Sequence, residues 1–208
     1  MAKKDLHLWL SWTLATTIGE LVGFAVPTIA GLAAAALKIS DIMIIPIMAV
    51  AGMGEGACFS FAQWLVLRKY IKNIEKQWIL YTAIAAGLAW IIGMLPSSLG
   101  DPTKIPITIL VPTVLFLAIF FLLSIGTAQW LVLRKHVQKA GWWIMANAIA
   151  WPLGVATTFI PISLVPDGAP IGLWIAAGIT GGIMMGATVG AITGWFLVKL
   201  LSAYKEAA

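Results

Sequence analysis

Two acids stand alone in apolar surroundings: Glu20 in "TTIGELVGF" and Glu55 in "AGMGEGACF". A charged side chain in the middle of a bilayer costs a few kcal/mol by insertion scales, and no Lys or Arg shares either stretch. Such a pair could hold one proton or a cation between its carboxyls, with help from Thr16, Thr17 and Ser60. It could equally be two protonated acids bonding to each other or to backbone carbonyls, as glue between helices. In a third reading Glu55 faces a ligand, because Gly54 and Gly56 open the surface beside it. Other chemistry is thin. His7 and His136 are the two histidines and read as interfacial side chains, and the single Cys58 reads as a small packing residue. The chain has no HExxH, no GxSxG, no phosphate loop and no cysteine pair, so no enzyme class and no metal site suggests itself.

The elements that would carry these acids follow from composition. The chain is 61% hydrophobic and 10% charged, against roughly 45–50% and 25% in soluble domains. Six apolar runs, at about 8–37, 42–68, 77–96, 105–134, 141–161 and 171–202, match or exceed the ~20 residues that span a bilayer. Helices are the expected form, since lipid cannot satisfy a strand's open edge and no alternation suggests a barrel. Glu20 follows Trp12 by eight positions, and Glu55 precedes Trp64 by nine. At ~1.5 Å per residue both lie ~12–14 Å from the tryptophan level, near the middle of a ~30 Å core. They fall on sequential antiparallel spans and so can meet.

The net charge of +5 is distributed for a membrane rather than for nucleic acid. Lys3, Lys4, Arg68, Lys69, Lys72, Lys76, Arg134, Lys135, Lys139, Lys199 and Lys205 fall on one side of the spans, and Lys38 and Lys104 on the other. The positive-inside rule then places both termini in the cytoplasm and the chain in a bacterial inner membrane. Asp41, Asp101 and Asp167 mark three outer loops, two of them carrying the turn-forming strings "LPSSLGDP" (95–102) and "VPDGAP" (165–170). The start, "MAKKDLHLWLSW", resembles a signal peptide. Its apolar run is about twice the ~7–15 residues of a signal core and includes Glu20, so the segment is expected to be retained.

A repeat organises the spans. "AQWLVLRK" occurs at 62–69 and again at 128–135, and "TGWFLVKL" at 193–200 is a degraded third copy. Trp12, Trp78 and Trp143 each stand fifty-two residues before Trp64, Trp130 and Trp195. The predicted fold is all-α: a single transmembrane domain, 1–208, forming a six-span helical bundle. It is built from three tandem helical hairpins of about 65 residues, 7–72, 73–138 and 139–204. Counted through the repeat, Glu20 corresponds to Ala86 and Trp151, and Glu55 to Phe121 and Gly186, so both acids belong to the first hairpin alone.

Gln63, Trp64, Arg68, Gln129, Trp130, Arg134, Trp195 and Lys199 are read as anchors at the cytoplasmic interface. Trp and the cation four residues on share a helix face, with Trp at headgroup level and the cation reaching phosphate. They either fix depth and rotation or form a three-part basic ring for an anionic headgroup or ligand. Gln63 and Gln129 need a partner, either a backbone group or another hairpin. Small residues four apart (Gly19 and Gly23, Ala85 and Ala89, Ala150 and Gly154, and Gly52, Gly56 and Ser60) let helices approach closely. Gly178, Gly182, Gly186, Gly190 and Gly194 form a ladder whose neighbour is either the first span or a second protein chain.

The "QWLVLR" segment is similar to one repeated in small multi-pass bacterial membrane proteins. The resemblance implies a multi-pass membrane protein, with no activity, cofactor or site residues attached. The third copy, with Gly194 and Lys199 in place of Gln and Arg, departs from the pattern. Two function classes follow. The preferred one is a non-catalytic structural or accessory subunit of a membrane assembly, from the missing catalytic groups, short loops and glycine ladder. The alternative is a small transporter or membrane ligand-binding protein using the Glu pair. Eleven tryptophans are compatible with a pigment or quinone but specify no cofactor. The expected partners are the lipid bilayer, anionic headgroups at the cytoplasmic face, and a protein partner or second copy through span six; nucleic acid is not expected.

Overall fold

The computed structural model describes residues 2–98 and 105–206. Lys104 and residues 99–102 of the 95–102 turn, Asp101 among them, lie outside the described residues, as do the side chains of 96–98, Asp41 and Lys205. Six helices form: α1 Lys3–Ala36, α2 Asp41–Leu67, α3 Gln77–Ser98, α4 Ile107–Leu133, α5 Trp142–Ser163 and α6 Ile171–Glu206. There is no strand among the described residues. All six helices are long and apolar enough to cross a membrane, and the chain is a multi-pass membrane protein. α1 begins earlier than the apolar run suggests, so that Lys3 and Lys4 occupy its first turn. It ends where Lys38 takes a left-handed φ of 51°. The Lys38 N–H then bonds the Ala35 carbonyl and the Ile39 N–H bonds Ala34, satisfying carbonyls that the helix end would leave open.

Each helix packs on its neighbours in sequence, and α6 returns to α1, closing a ring. Small residues decide how tight each seam is. A Cβ added to Gly19 would lie 2.6 Å from the Phe59 Cα across α1/α2, and one on Gly56 would lie 2.6 Å from the Ala86 Cβ across α2/α3. Across α1/α6, Cβ atoms on Gly186 and Gly190 would lie 2.8 Å and 2.9 Å from the Thr17 and Thr13 Cα atoms. In lipid, where apolar burial gives no drive, such backbone proximity supplies the dispersion that holds helices together. α4 has a single glycine, Gly126, and a bulky run of Ile, Leu, Val and Phe before it, and its seams with α3 and α5 are the loosest. The glycine ladder is thus divided. Gly186, Gly190 and Gly194 face α1, whereas Gly178 and Gly182 have no atom within 4 Å of an added Cβ among the described residues.

The core runs along the ring's axis. At the basic end Trp12, Trp78 and Trp143 are fully buried and meet ring to ring, with centroids 5.6–6.2 Å apart. Leu67, Leu133 and Leu197 pack against them. A second cluster of Phe59, Ile125, Ala150, Trp151 and Val189 lies farther along.

Gly19→Ala forces a methyl into the Phe59 backbone, and is expected to lower stability by about 1–3 kcal/mol, the usual range for overpacking. The same change at Gly182 meets open space and should leave the melting temperature in detergent unchanged or slightly raised. Equal effects at the two positions would contradict the packing described.

Candidate functional site

Buried amides and indoles tie the axis together. Trp143 Nε1 donates to Gln129 Oε1 at 2.9 Å, Gln129 Nε2 to Gln63 Oε1 at 3.0 Å, and Gln63 Nε2 to Thr16 Oγ1 at 3.2 Å. One relay therefore joins α5, α4, α2 and α1. Asn147 extends it, accepting from Trp151 Nε1 at 3.1 Å. On the α6 side, Trp12 Nε1 donates to Thr193 Oγ1 at 2.9 Å. Here the structure corrects the sequence reading: Gln63 and Gln129 are not interface anchors but 3% and 1% exposed core residues. One residue along a helix turns the side chain by roughly 100°, so the neighbour of an outward Trp points inward. Gly194 takes the glutamine's place on α6, and the Trp12 indole lies against it. Trp78 Nε1 has no hydrogen-bond partner among the described residues.

Each remaining tryptophan of the motif lies beneath the cation four residues on. The Arg68, Arg134 and Lys199 head groups sit 5.2, 4.6 and 5.7 Å from the ring centroids of Trp64, Trp130 and Trp195. His136 takes part in a surface clamp. Its Nε2 lies 2.6 Å from Glu75 Oε2, and Lys135 Nζ donates to Glu75 Oε1 at 3.0 Å. These bonds tie the α2–α3 connection to the α4–α5 connection. The His136 hydrogen bond chiefly holds the Glu75 carboxyl down at about 2, against an ordinary 4.5. The clamp's stabilisation is therefore complete above pH 4.5 and fades as the pH falls toward 2.

Farther along the axis, Glu20 and Glu55 are 1% and 6% exposed, and the two side chains neighbour each other where α1 packs on α2. Glycines bring them there. A Cβ on Gly23 would lie 2.9 Å from the Glu55 carbonyl oxygen, and one on Gly186 of α6 would lie 3.0 Å from the Glu20 Cβ. Trp90 Nε1 donates to Glu55 Oε2 at 2.6 Å. Among the described residues no N–H or O–H group reaches either Glu20 carboxylate oxygen. The hydroxyls expected to assist bond elsewhere: Thr16 accepts from Gln63, Ser60 donates to the Gly56 carbonyl, and Thr17 donates to the Thr13 carbonyl. Trp90 is the partner that sequence reasoning missed. Its signal was Gly52, one turn from Glu55, whose missing side chain is the space the Trp90 indole fills.

A hollow of about 420 Å³ opens beside Glu55. Its lining includes Phe24, Glu55, Trp90, Phe121, Phe159 and Met185, one from each helix. Phe59 and Trp151, with ring centroids 5.5 Å apart, also line it and adjoin the buried core. A second hollow, a groove of 470 Å³ between α3 and α4, has no charged residue in its lining, and Phe116 and Ile119 on its wall are exposed. Of these two, the first is lined by all six helices and carries an ionisable group. It offers one carboxyl and several aromatic faces, which suits binding a proton or a cation.

Gln129→Leu removes the acceptor of the Trp143 indole and the donor to Gln63, leaving both buried. The expected loss is about 1–3 kcal/mol for each orphaned group, read as a lower melting temperature in detergent. An unchanged melting temperature would show that the relay carries no stability.

Comparison of the chain with protein-family models, with curated proteins and with solved structures finds no match in any of the three.

Proposed function

We propose that the protein is a small membrane transporter or ligand-binding protein whose site is the hollow beside Glu55, with Glu20 behind it. The observation that carries the reading is Glu55 on the wall of a space that all six helices line, with Glu20 buried behind it and no ion pair to either acid among the described residues. An ionisable pair near the bilayer midplane, facing the bundle interior, is where ion and substrate pathways are built. The proposal includes three tandem hairpins. It draws on the repeated "AQWLVLRK", on the mutual contacts of Trp12, Trp78 and Trp143, and on the left-handed backbone shared by Asn73 (φ 60°) and Lys139 (φ 56°), which the repeat aligns. It also includes a cytoplasmic basic end in a bacterial inner membrane, with Arg68, Arg134 and Lys199 at anionic headgroups.

The accessory-subunit reading draws on α4, whose exposed apolar face and loose seams leave room for a partner helix. Native mass spectrometry after gentle purification separates the two. A small molecule or ion held by the unmodified protein and lost in Glu55→Gln and Glu20→Gln is expected. A stable partner chain, with no small molecule and no change in either variant, would contradict the site and leave the accessory role.

A further inference from the structure

Resting on that reading of the Glu55 hollow, we infer that its ligand is a lipophilic organic cation. The charge follows from the acids. The two side chains neighbour each other, and the ion pairs among the described residues involve Glu75 rather than Glu20 or Glu55. An anionic ligand would meet the Glu55 carboxyl, with a second acid behind it, and no base in the lining. Two carboxyls, one cation and one proton make a neutral site, with Glu20, which lies outside the lining, keeping the proton.

The organic character follows from the walls. Calcium takes 6–8 oxygen ligands and magnesium a near-octahedral set of six. The lining provides one carboxylate and otherwise carbon, sulfur and indole groups, and the Trp90 N–H points its positive end at that carboxylate. A bare metal ion would lose its hydration shell and find no replacement. An ammonium or phosphonium centre wrapped in carbon carries little hydration to lose. Rings that can present a face to it surround the space: Phe24, Phe59, Trp90, Phe121, Trp151 and Phe159. Aromatic faces attract such cations through their quadrupoles, most strongly where water is excluded. The 420 Å³ volume lies within the ~300–1,000 Å³ typical of small-molecule pockets.

Two probes of one shape and opposite charge test this: tetraphenylphosphonium and tetraphenylborate, titrated onto the purified full chain in nanodiscs with tryptophan fluorescence as the readout. The phosphonium should bind saturably, and the borate should bind at least about tenfold more weakly. Glu55→Gln should weaken phosphonium binding by about tenfold or more, while Glu55→Asp, which keeps the charge, retains most of it. Should Glu55→Gln fail to assemble, the unmodified protein gives the same answer: phosphonium should protect Glu55 from an apolar carbodiimide. Equal binding of both probes, undiminished binding by a folded Glu55→Gln, or absence of protection would overturn the proposal. A neutral molecule retained through Glu55, with no phosphonium binding, would remove the cation and leave the site. No retained ligand, with both Gln variants unchanged, would remove both.

Discussion

A polar group buried in a membrane protein finds no water, so it needs a protein partner, and the axis of this bundle is organised by that constraint. The relay Trp143–Gln129–Gln63–Thr16 crosses four helices, and every bond in it is made between side chains of different helices. Each such hydrogen bond contributes a net ~0.5–1.5 kcal/mol, and each aromatic pair around it a further ~0.5–1.5 kcal/mol. The individual terms are small. Their effect is to select one rotation and one depth for each helix, because a slip of one residue would strand an amide or an indole.

The seams depend on the same economy of space. Gly19, Gly56, Gly186 and Gly190 bring backbones together where a Cβ would collide, and this draws α1, α2, α3 and α6 into a compact arc. α4 has one such residue, Gly126, whose added Cβ would lie 3.0 Å from the Ile144 Cα of α5, and its seams are otherwise loose. The basic end is nonetheless filled, because three tryptophans and three leucines converge there. Beyond Phe59 and Trp151 the axis is not filled, and the hollow lies there. At the position that the repeat aligns with Glu20, α5 carries Trp151, which lines the hollow.

Much of the architecture was legible in the residues. Run length and apolar content locate all six helices within a few residues, because in lipid the backbone has no other way to satisfy itself. Counting from Trp12 and Trp64 puts Glu20 and Glu55 at one level, and both are buried where α1 packs on α2. What was not legible depended on rotation and register. Gln63 and Gln129 were grouped with their outward neighbours because a motif read as a string hides the turn between consecutive side chains. Trp90 could not be assigned to Glu55 without knowing how α3 slides against α2, although Gly52 marked the place. The hollow was invisible for a further reason: residues from all six helices line it, and no single residue announces a space.

The ring is filled at its basic half and hollow beside Glu55. Cysteine accessibility in a Cys58→Ala background measures this directly, with one thiol at Gly93 on the wall of the hollow and another at Ala146 in the filled half. A small uncharged maleimide should modify the thiol at 93 readily and leave that at 146 unreacted in the folded protein. Equal labelling at the two positions, or protection at 93 with reaction at 146, would contradict the account.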